Sequence, residues 1–413
     1  MKTSISLEEA HAILGELVQP VKPGYVSLFA AAGRVLCRDI QSGVNLPAFS
    51  KSPLDGYAVQ AGDTQTASRS QPVVLEVIEE VRAGYVPQRK VVSGTAIKVM
   101  TGAPVPEGAD EIIKYEDVVR ENNHISLSYP LQPGKNVIKA GEDVTLGEMI
   151  ACRGALLNPP LVGLLAAVGI AQVPVYEKVK VAILSTGDEL VDPATALLPG
   201  KIYNSNLHSL NAFCSQLGTE PISMGIVPDE KEAIVARLGQ ALSAADLVIT
   251  TGGVSVGDYD VVPDALEAIG AEIAFWKVDM KPGSPVIAAR YNQKLIIGLS
   301  GNPAAAFITF DLIVVPLIKK MMGLAEQFPP KISAILTDSF NKPSQQRRFL
   351  RARVQRDNEM NYVKLTGEQS NGVLKSMIDC NALIDVPAGS GPLIAGQEVS
   401  AVVLRNAAAG IFI

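Results

Sequence analysis

Residues 246–260, "DLVITTGGVSVGDYD", decide how the chain is read. The apolar run Leu247–Ile249 has the look of a short buried strand, and Gly252, Gly253 and Gly257 follow it closely. Glycines after a strand let backbone N–H groups approach phosphate oxygens without a Cβ in the way. A helix starting just beyond adds about half a positive charge. The spacing fits neither a GxxxxGK[ST] loop nor a GxGxxG fingerprint, so both common nucleotide clamps are set aside. Yet Asp258 and Asp260 lie in the same loop, where a bare carboxylate would repel phosphate. A divalent cation between them removes the conflict, because Mg²⁺ takes one or two carboxylates together with substrate oxygens and water. The competing reading is that both acids cap the helix beginning near Val261 and that the glycine pair is only a tight turn.

From Lys178 to Gly323 strands alternate with helices. The strands are "KVAILST", "PISMGIV", "DLVIT", "EIAFWKVDM", "SPVIAAR" and "KLIIGLS", and one long closing helix runs through "PAAAFITFDLIVVPLIKKMMG". Such alternation predicts a doubly wound, mostly parallel sheet with helices on both faces and ligands at the carboxyl ends of its strands. Three loops there carry polar groups that a core would not request. "STGDEL" runs Ser185, Thr186, Gly187, Asp188, Glu189; the second is the glycine loop; "KPG" is Lys281, Pro282, Gly283, four residues after Lys277. The two lysines complete an electropositive floor, and Asp188, Glu189 and Asp260 become ligands for a magnesium-bound pyrophosphate.

The flanks read differently. Ser6 with Glu9 is a capping box for an amphipathic helix carrying Leu7, Ala10, Ile13, Leu14 and Leu17. Between about Val44 and Asp143 short β-branched runs ("PVVLEVIEEV", "TAIKVM", "DEIIKYEDVV", "NVIKA") alternate with Gly and Pro. A helix capped by Asn158 and ended by Gly169 follows, so the helices on either side are expected to pack together with the β unit as an insertion. After Pro330 strand periodicity returns in "KISAILTDSF", "RRFLRARV", "YVKLTG" and "QEVSAVVL", a terminal β domain. Within "SPLDGYAV", Asp55 taken alone reads as a surface Asx turn.

Bulk properties narrow the partners. With 413 residues the chain exceeds one core, and its 47% hydrophobic and 19% charged composition is that of a folded protein. A net charge of -6 argues against nucleic acid. Four cysteines without a CxxC and three histidines without an HxxxH argue against thiolate or imidazole metal sites, and the scattered thiols suit a cytoplasmic setting. The uncharged stretch around Pro160–Gly169 falls short of the ~20 residues a bilayer needs, so no membrane is expected.

Taken together, "SPLDGYAV", "MTGAPVPEGAD", "AGED", "STGDEL", "TTGGVSVGDYD", "FWKVDMKPG" and "GNPAAAF" resemble, in order and over nearly the whole chain, the molybdopterin molybdenumtransferase family of bacterial MoeA and the gephyrin E domain. The resemblance implies elongated homodimers. It implies a split helical linker domain over 1–43 and 143–177, an inserted β domain over 44–142, a doubly wound domain like that of the MogA and MoaB proteins over 178–327, and a C-terminal β-barrel over 328–413. The implied reaction inserts molybdate, or tungstate, into adenylylated molybdopterin, with Mg²⁺-dependent release of AMP. Carried across by motif, Asp188 and Glu189 match the acidic pair, Ser255 and Asp260 the nucleotide-side loop, and Asp229, Lys277 and Lys281 the acid and base positions of the cleft. Thr186, Gly187, Gly252, Gly253, Gly257, Pro282 and Gly283 line the ligand. Thr101 and Asp143 belong to the β and linker domains with Asp55, which would reach the other subunit's cleft; Arg351 and Ser376 match residues that hold molybdate. A transient contact with the molybdopterin adenylyltransferase that supplies the pterin is implied as well.

The chain departs from the family pattern in the motif around Asp55, where "SPLDGYA" stands for the usual "SAMDGYA", and at three positions of the doubly wound domain. Ser284 stands where a lysine is usual, Ser300 for a proline and Ala305 for a serine. A lost charge-assisted donor facing an oxyanion is worth about 1.5–3 kcal/mol. The alternatives kept beside the main reading are an adenylyltransferase resting on the doubly wound domain alone, and a divergent non-catalytic paralogue that binds the intermediate or acts as a scaffold.

Overall fold

The structure, a computed structural model, describes residues 2–254 and 261–404. Its centre is a seven-stranded sheet whose order is Lys2–Ile5, Glu272–Val278, Ile287–Tyr291, Lys294–Leu299, Leu247–Thr251, Lys180–Thr186, Glu220–Val227. The last four of these strands run parallel, while Ile287–Tyr291 is antiparallel to both its neighbours. Along Val181–Leu184 successive side chains enter opposite cores. Val181 and Ile183 pack with the helix Ser205–Gln216 and the closing helices, whereas Ala182 and Leu184 pack with the helices Lys231–Ala244 and Val262–Ala268. A strand apolar on both faces needs a helix on each, which is the doubly wound arrangement expected from the alternation.

The N-terminal segment corrects one expectation. Assigned with the linker by sequence, residues 2–17 instead join the central body: Lys2–Ile5 adds an edge strand parallel to Glu272–Val278, and the helix Leu7–Leu17 packs on the closing helix. The predicted capping box is present, with Glu9 N–H donating to Ser6 Oγ at 3.1 Å and Ser6 N–H to Glu9 Oε2 at 2.8 Å. Leu7, Ala10 and Leu14 are buried in the same core as Phe307, Phe310 and Ile313, so this helix has its apolar partner there and not across the insertion. The closing helix is also interrupted. Helical Pro303–Thr309 passes through a π-helical segment, Phe310–Val314, into Val315–Met321. Pro316 has no N–H to give the carbonyl four residues back, that of Leu312, and His11 Nε2 sits 2.6 Å from that oxygen. Burial holds the His11 ring below its ordinary pKa, so at neutral pH the ring is a neutral donor to that carbonyl.

The linker is built from both flanks of the insertion. Pro23–Ser27 pairs antiparallel with Gln172–Tyr176, Ile40–Gln41 with Met149–Ala151, and Leu36, Ile40, Leu157, Leu165 and Val173 share one small core. Its helix Pro159–Ala167 starts at Asn158, whose Oδ1 accepts from Leu161 N–H at 2.9 Å. Between those flanks lies a six-stranded sheet, and at the other end five strands from Lys331–Leu336 to Glu398–Val403 close into a barrel. Two β readings change in detail: "DEIIKYEDVV" splits around a 3₁₀ turn at Tyr115–Asp117, and "NVIKA" makes only a bridge from Ile138 to Lys51. Among the described residues no helix is long and apolar enough to cross a membrane.

Replacing His11 by Ala is expected to lower stability by about 1–2 kcal/mol, because it leaves a carbonyl in the closing helix without its donor. Urea unfolding of the two proteins checks this; superimposable curves would remove the histidine from the account.

Candidate functional site

The parallel strands leave one place where side chains and backbone groups escape pairing. From the strand Lys180–Thr186 the chain goes next to Glu220–Val227 on one side and then returns to Leu247–Thr251 on the other. The loops after Thr186 and after Thr251 therefore diverge and leave a crevice between them, the location where open α/β sheets bind ligands. Gly187, Asp188 and Glu189 form one lip, and Gly252 and Gly253 the other.

The glycines are required by close approach. At Gly252, where φ is +94°, an added Cβ would lie 2.3 Å from the Thr186 carbonyl oxygen; at Gly253, with φ +62°, it would lie 2.9 Å from Val262. Gly252 thus lies directly against the carbonyl and hydroxyl of Thr186. On the other lip Asp188 and Asp229 bind each other reciprocally: Asp188 N–H donates to Asp229 Oδ2 at 3.3 Å and Asp229 N–H to Asp188 Oδ1 at 3.2 Å. Glu189 folds back over Gly187, where a Cβ would meet its carboxylate at 2.6 Å. Both Asp188 and Glu189 stand exposed at the mouth.

Beneath them lies a polar cluster of which the sequence reading had only Ser185 and Thr186. Ser185, Thr186, Asn204, Asn206, Thr250 and Thr251 are all buried at the strand ends. Thr251 Oγ1 donates to Ser185 Oγ at 2.9 Å, Ser185 Oγ to Asn204 Oδ1 at 3.2 Å, and Asn206 Nδ2 to the Gly301 carbonyl at 2.9 Å. Thr186 Oγ1, Thr250 Oγ1, Asn204 Nδ2 and Asn206 Oδ1 have no hydrogen-bond partner among the described residues. Buried polar atoms left unpaired cost stability unless something meets them. Asn204 and Asn206, in "YNSN", sit at the start of the helix Ser205–Gln216, and nothing in their sequence neighbours sets them apart.

Lys277 reaches the same neighbourhood. Its φ is +70°, uncommon for a long side chain, and the preceding Trp276 donates from Nε1 to the Val254 carbonyl at 3.0 Å, tying this strand end to the glycine loop. Lys281, Pro282 and Gly283 lie farther along, where the sheet meets the barrel. Phe349 N–H donates to the Lys281 carbonyl and Lys281 N–H to that of Arg347, both at 2.8 Å, so the loop continues the edge of the strand Arg348–Asp357. Together they wall a cavity of about 670 Å³ that Lys281, Pro282, Lys342, Arg348, Gln369 and Ser370 line. Gly283, with φ +92°, packs against Thr309, whose Oγ1 a Cβ would meet at 2.2 Å.

Arg351 is buried on the outer face of the barrel under the segment 366–381, and Ser376, itself in that segment, is buried with its Oγ donating to the Val373 carbonyl at 2.7 Å. Arg351 donates from Nη2 to the carbonyls of Glu368 at 2.8 Å and Ser370 at 3.0 Å, while its Nε and Nη1 have no partner. A fully buried guanidinium with two free donor nitrogens is an anion receptor in waiting. Burial pushes the neighbouring Cys380 thiol up to about 11, so it offers Arg351 no charge. The 3₁₀ turn holding Ser376 packs on the helix Pro303–Thr309 that contains Ala305. Ser300 Oγ accepts from Asn302 N–H at 3.2 Å, and Ala305 is buried.

Asp55 and Thr101 meet in the inserted sheet. Thr101 donates to Asp55 Oδ1 from N–H at 2.7 Å and from Oγ1 at 2.8 Å, and these bonds, the backbone one first, hold the carboxyl below its usual value. Asp55 is thus not an isolated Asx turn; Ser52 makes the local turn through the Leu54 backbone. Asp143 lies where the chain returns to the linker, its N–H donating to the Leu46 carbonyl at 2.9 Å. Among the described residues, the hydrogen bonds of this group stay within the β and linker domains. Ser255, Gly257, Asp258 and Asp260 lie outside the described residues.

Residues 5–169 match the model of the MoeA N-terminal region (domain I and II), 182–320 that of the probable molybdopterin binding domain, and 333–404 that of the MoeA C-terminal region (domain IV). The chain is 37% identical over 411 residues to the molybdopterin molybdenumtransferase of Bacillus subtilis (strain 168), covering 98% of this chain and 95% of the relative. It is 35% identical over 384 residues to that of Staphylococcus aureus (strain MSSA476), covering 93% and 92%. Among solved structures, a molybdopterin biosynthesis MoeA protein from Pyrococcus horikoshii superposes with a TM-score of 0.86 at 33% identity, covering 97% of this chain and 99% of that one.

Gly252→Ala should cost about 2–3 kcal/mol, since it combines a left-handed backbone with a backbone clash against Thr186. Calorimetric unfolding tests it, and an unshifted transition would mean that the two lips do not touch.

Proposed function

The chain belongs to the MoeA family of molybdopterin molybdenumtransferases, and we infer that its crevice holds the diphosphate of adenylylated molybdopterin while molybdate is transferred to the pterin dithiolene. The observation that carries this reading is the pair of backbone lips at the sheet's crossover point, set over four buried polar atoms that nothing in the described chain satisfies. The transfer is paired with hydrolysis of the phosphoanhydride: water adds to the adenylyl phosphorus, the bond to the bridging oxygen breaks, and AMP leaves with the pterin phosphate keeping that oxygen. Lys277 and Lys281 offset the charge of the diphosphate, and Asp229 is the acid–base partner at the mouth.

Asp188 and Glu189 form the oxygen-only pair that suits Mg²⁺, which completes its shell with substrate oxygens and water. Among the described residues no third acidic, histidine or cysteine ligand joins them, and Asp260 is the remaining member of the proposed set. When bound, the ion would neutralise diphosphate charge and sharpen the phosphorus as an electrophile. The chain's own part is to hold the two carboxylates at the lip, Asp188 through the Asp229 N–H and Glu189 over Gly187.

Arg351 and Ser376 are the proposed molybdate holders, supported by the two free guanidinium nitrogens in a buried compartment. With Ser284 and Ala305 supplying neither the usual cation nor the usual hydroxyl, Arg351 carries a larger share of the oxyanion here. Homodimerisation belongs to the same reading: Asp55 and Thr101 form a finished pair far from their own crevice in the bonding pattern, and Tyr25, Phe29 and Leu156 expose apolar surface on the linker. A cytoplasmic setting, in keeping with four free thiols, and a transient hand-over from a molybdopterin adenylyltransferase complete it.

The direct test incubates purified protein with adenylylated molybdopterin, Mg²⁺ and molybdate. AMP appearing with molybdenum bound supports the reading; adenylylation from ATP, or binding without turnover, would replace it. Arg351→Lys should raise the molybdate concentration for half-maximal AMP release about ten- to a hundredfold, the loss of one or two charge-assisted bonds. An unchanged requirement would move the oxyanion elsewhere. Asp55→Asn and Asp188→Asn should each be inactive, yet dimers re-formed from an equal mixture should recover about a quarter of the wild-type rate, because half of them pair one intact Asp55 with one intact Asp188. No recovery would place Asp55 in its own chain's crevice.

A further inference from the structure

Arg347 is absent from the lining of the crevice and of the barrel cavity, yet several separate segments converge on it. Its Nε and Nη2 grip Asp385 Oδ1 and Oδ2, each at 2.7 Å, and its Nη1 donates to Glu8 Oε1 at 2.7 Å. Its carbonyl accepts the Lys281 N–H at 2.8 Å. Asp385 also receives Lys331 Nζ at 3.0 Å and, with a side chain 9% exposed, is shielded from water as the arginine largely is at 21%. Forked pairing of this kind, with both carboxylate oxygens engaged and little solvent access, is directional and resists screening.

A second connection closes a ring. Asp279 N–H donates to the Ile5 carbonyl at 2.8 Å, at the end of the N-terminal strand, and three residues later Glu8 meets Arg347. The stretch from Asp279 to Lys281 is therefore held at one end by Ile5 and at the other by Arg347. The two anchors are themselves linked through Glu8. Neither anchor is near the loop in sequence, so the loop's position depends on both chain flanks arriving together.

We propose that Arg347 is a positioning residue for the Lys281–Pro282–Gly283 loop, using Asp385 to fix its own backbone and Glu8 to bring the N-terminal segment against the same loop. The proposal rests on the reading that this loop serves the molybdate and diphosphate cleft. Through it the edge strand and first helix, which touch no proposed ligand, take part in placing a cleft lysine.

The test pairs amide exchange with kinetics on the full-length protein, using Arg347→Lys, which keeps the charge but loses the fork, and Glu8→Gln, which removes only the link to the N-terminus. In Arg347→Lys, exchange in the peptide covering 279–283 should quicken by about tenfold, and in Glu8→Gln by a smaller factor, with the peptide covering 180–186 unchanged. The molybdate concentration for half-maximal AMP release should rise several-fold while the maximal rate stays within about twofold, a split that general destabilisation does not produce. In a Lys281→Ala background Arg347→Lys should add no further change. Exchange equal to wild type in both variants overturns the proposal, and so does faster exchange with an unaltered molybdate requirement. If wild-type protein releases no AMP at all, the functional reading fails, while the exchange measurement still decides whether Arg347 holds the loop.

Discussion

Everything in this molecule depends on a parallel sheet whose three inner strands, Lys180–Thr186, Leu247–Thr251 and Lys294–Leu299, are buried on both faces. Because Val181 and Ile183 are claimed by one layer of helices and Ala182 and Leu184 by the other, polar groups have no place along the strands and collect at their carboxyl ends. Ser185, Thr186, Thr250 and Thr251 are the first residues at which the side chains change character. The site is thus a by-product of burying the sheet, sharpened by the two loops that part there. Its lips can approach only because Gly252 and Gly253 carry no Cβ. The price in backbone entropy is met by the surrounding packing.

Features that depend on neighbours in sequence were legible from the sequence. The Ser6–Glu9 box, the Asn158 cap, the alternation that defines the doubly wound sheet and the glycine loop each announce themselves within a few residues. What escaped depends on residues far apart in the chain. Nothing near Lys2 says that it will lie beside Phe275, and nothing near His11 says that a proline more than 300 residues later will leave a carbonyl for it. The same holds for Asn204 and Asn206, whose significance lies in atoms left unpaired after folding. Arg351 was singled out only by motif, since alternation along "RRFLRARV" could not say which arginine the segment 366–381 would cover.

The departures from the family pattern fall unevenly. Those at Ser284 and Ala305 fall on the loop and helix near the barrel and that at Ser300 on the strand end beside the Gly252 lip, while the residues of the glycine loop and its acidic counterpart keep the family's letters. The structure adds a reason for tolerance at one of them: Ser300 makes its own bond to the Asn302 N–H and so stabilises the turn in place of proline stiffness. At Ala305 the lost hydroxyl is not replaced, although Thr309 one turn on donates to the Ala305 carbonyl at 2.9 Å. Ser284 and Ala305 thus bring neither a cation nor a hydroxyl to that loop and helix.

The inserted β unit leaves and re-enters the linker through chain segments that lie side by side, Ile40–Gln41 against Met149–Ala151. About a hundred residues are therefore carried on a narrow two-stranded stalk. A module mounted in that way can be lengthened, reshaped or re-aimed without unpicking the sheet that feeds the crevice, since both of its attachments move as one.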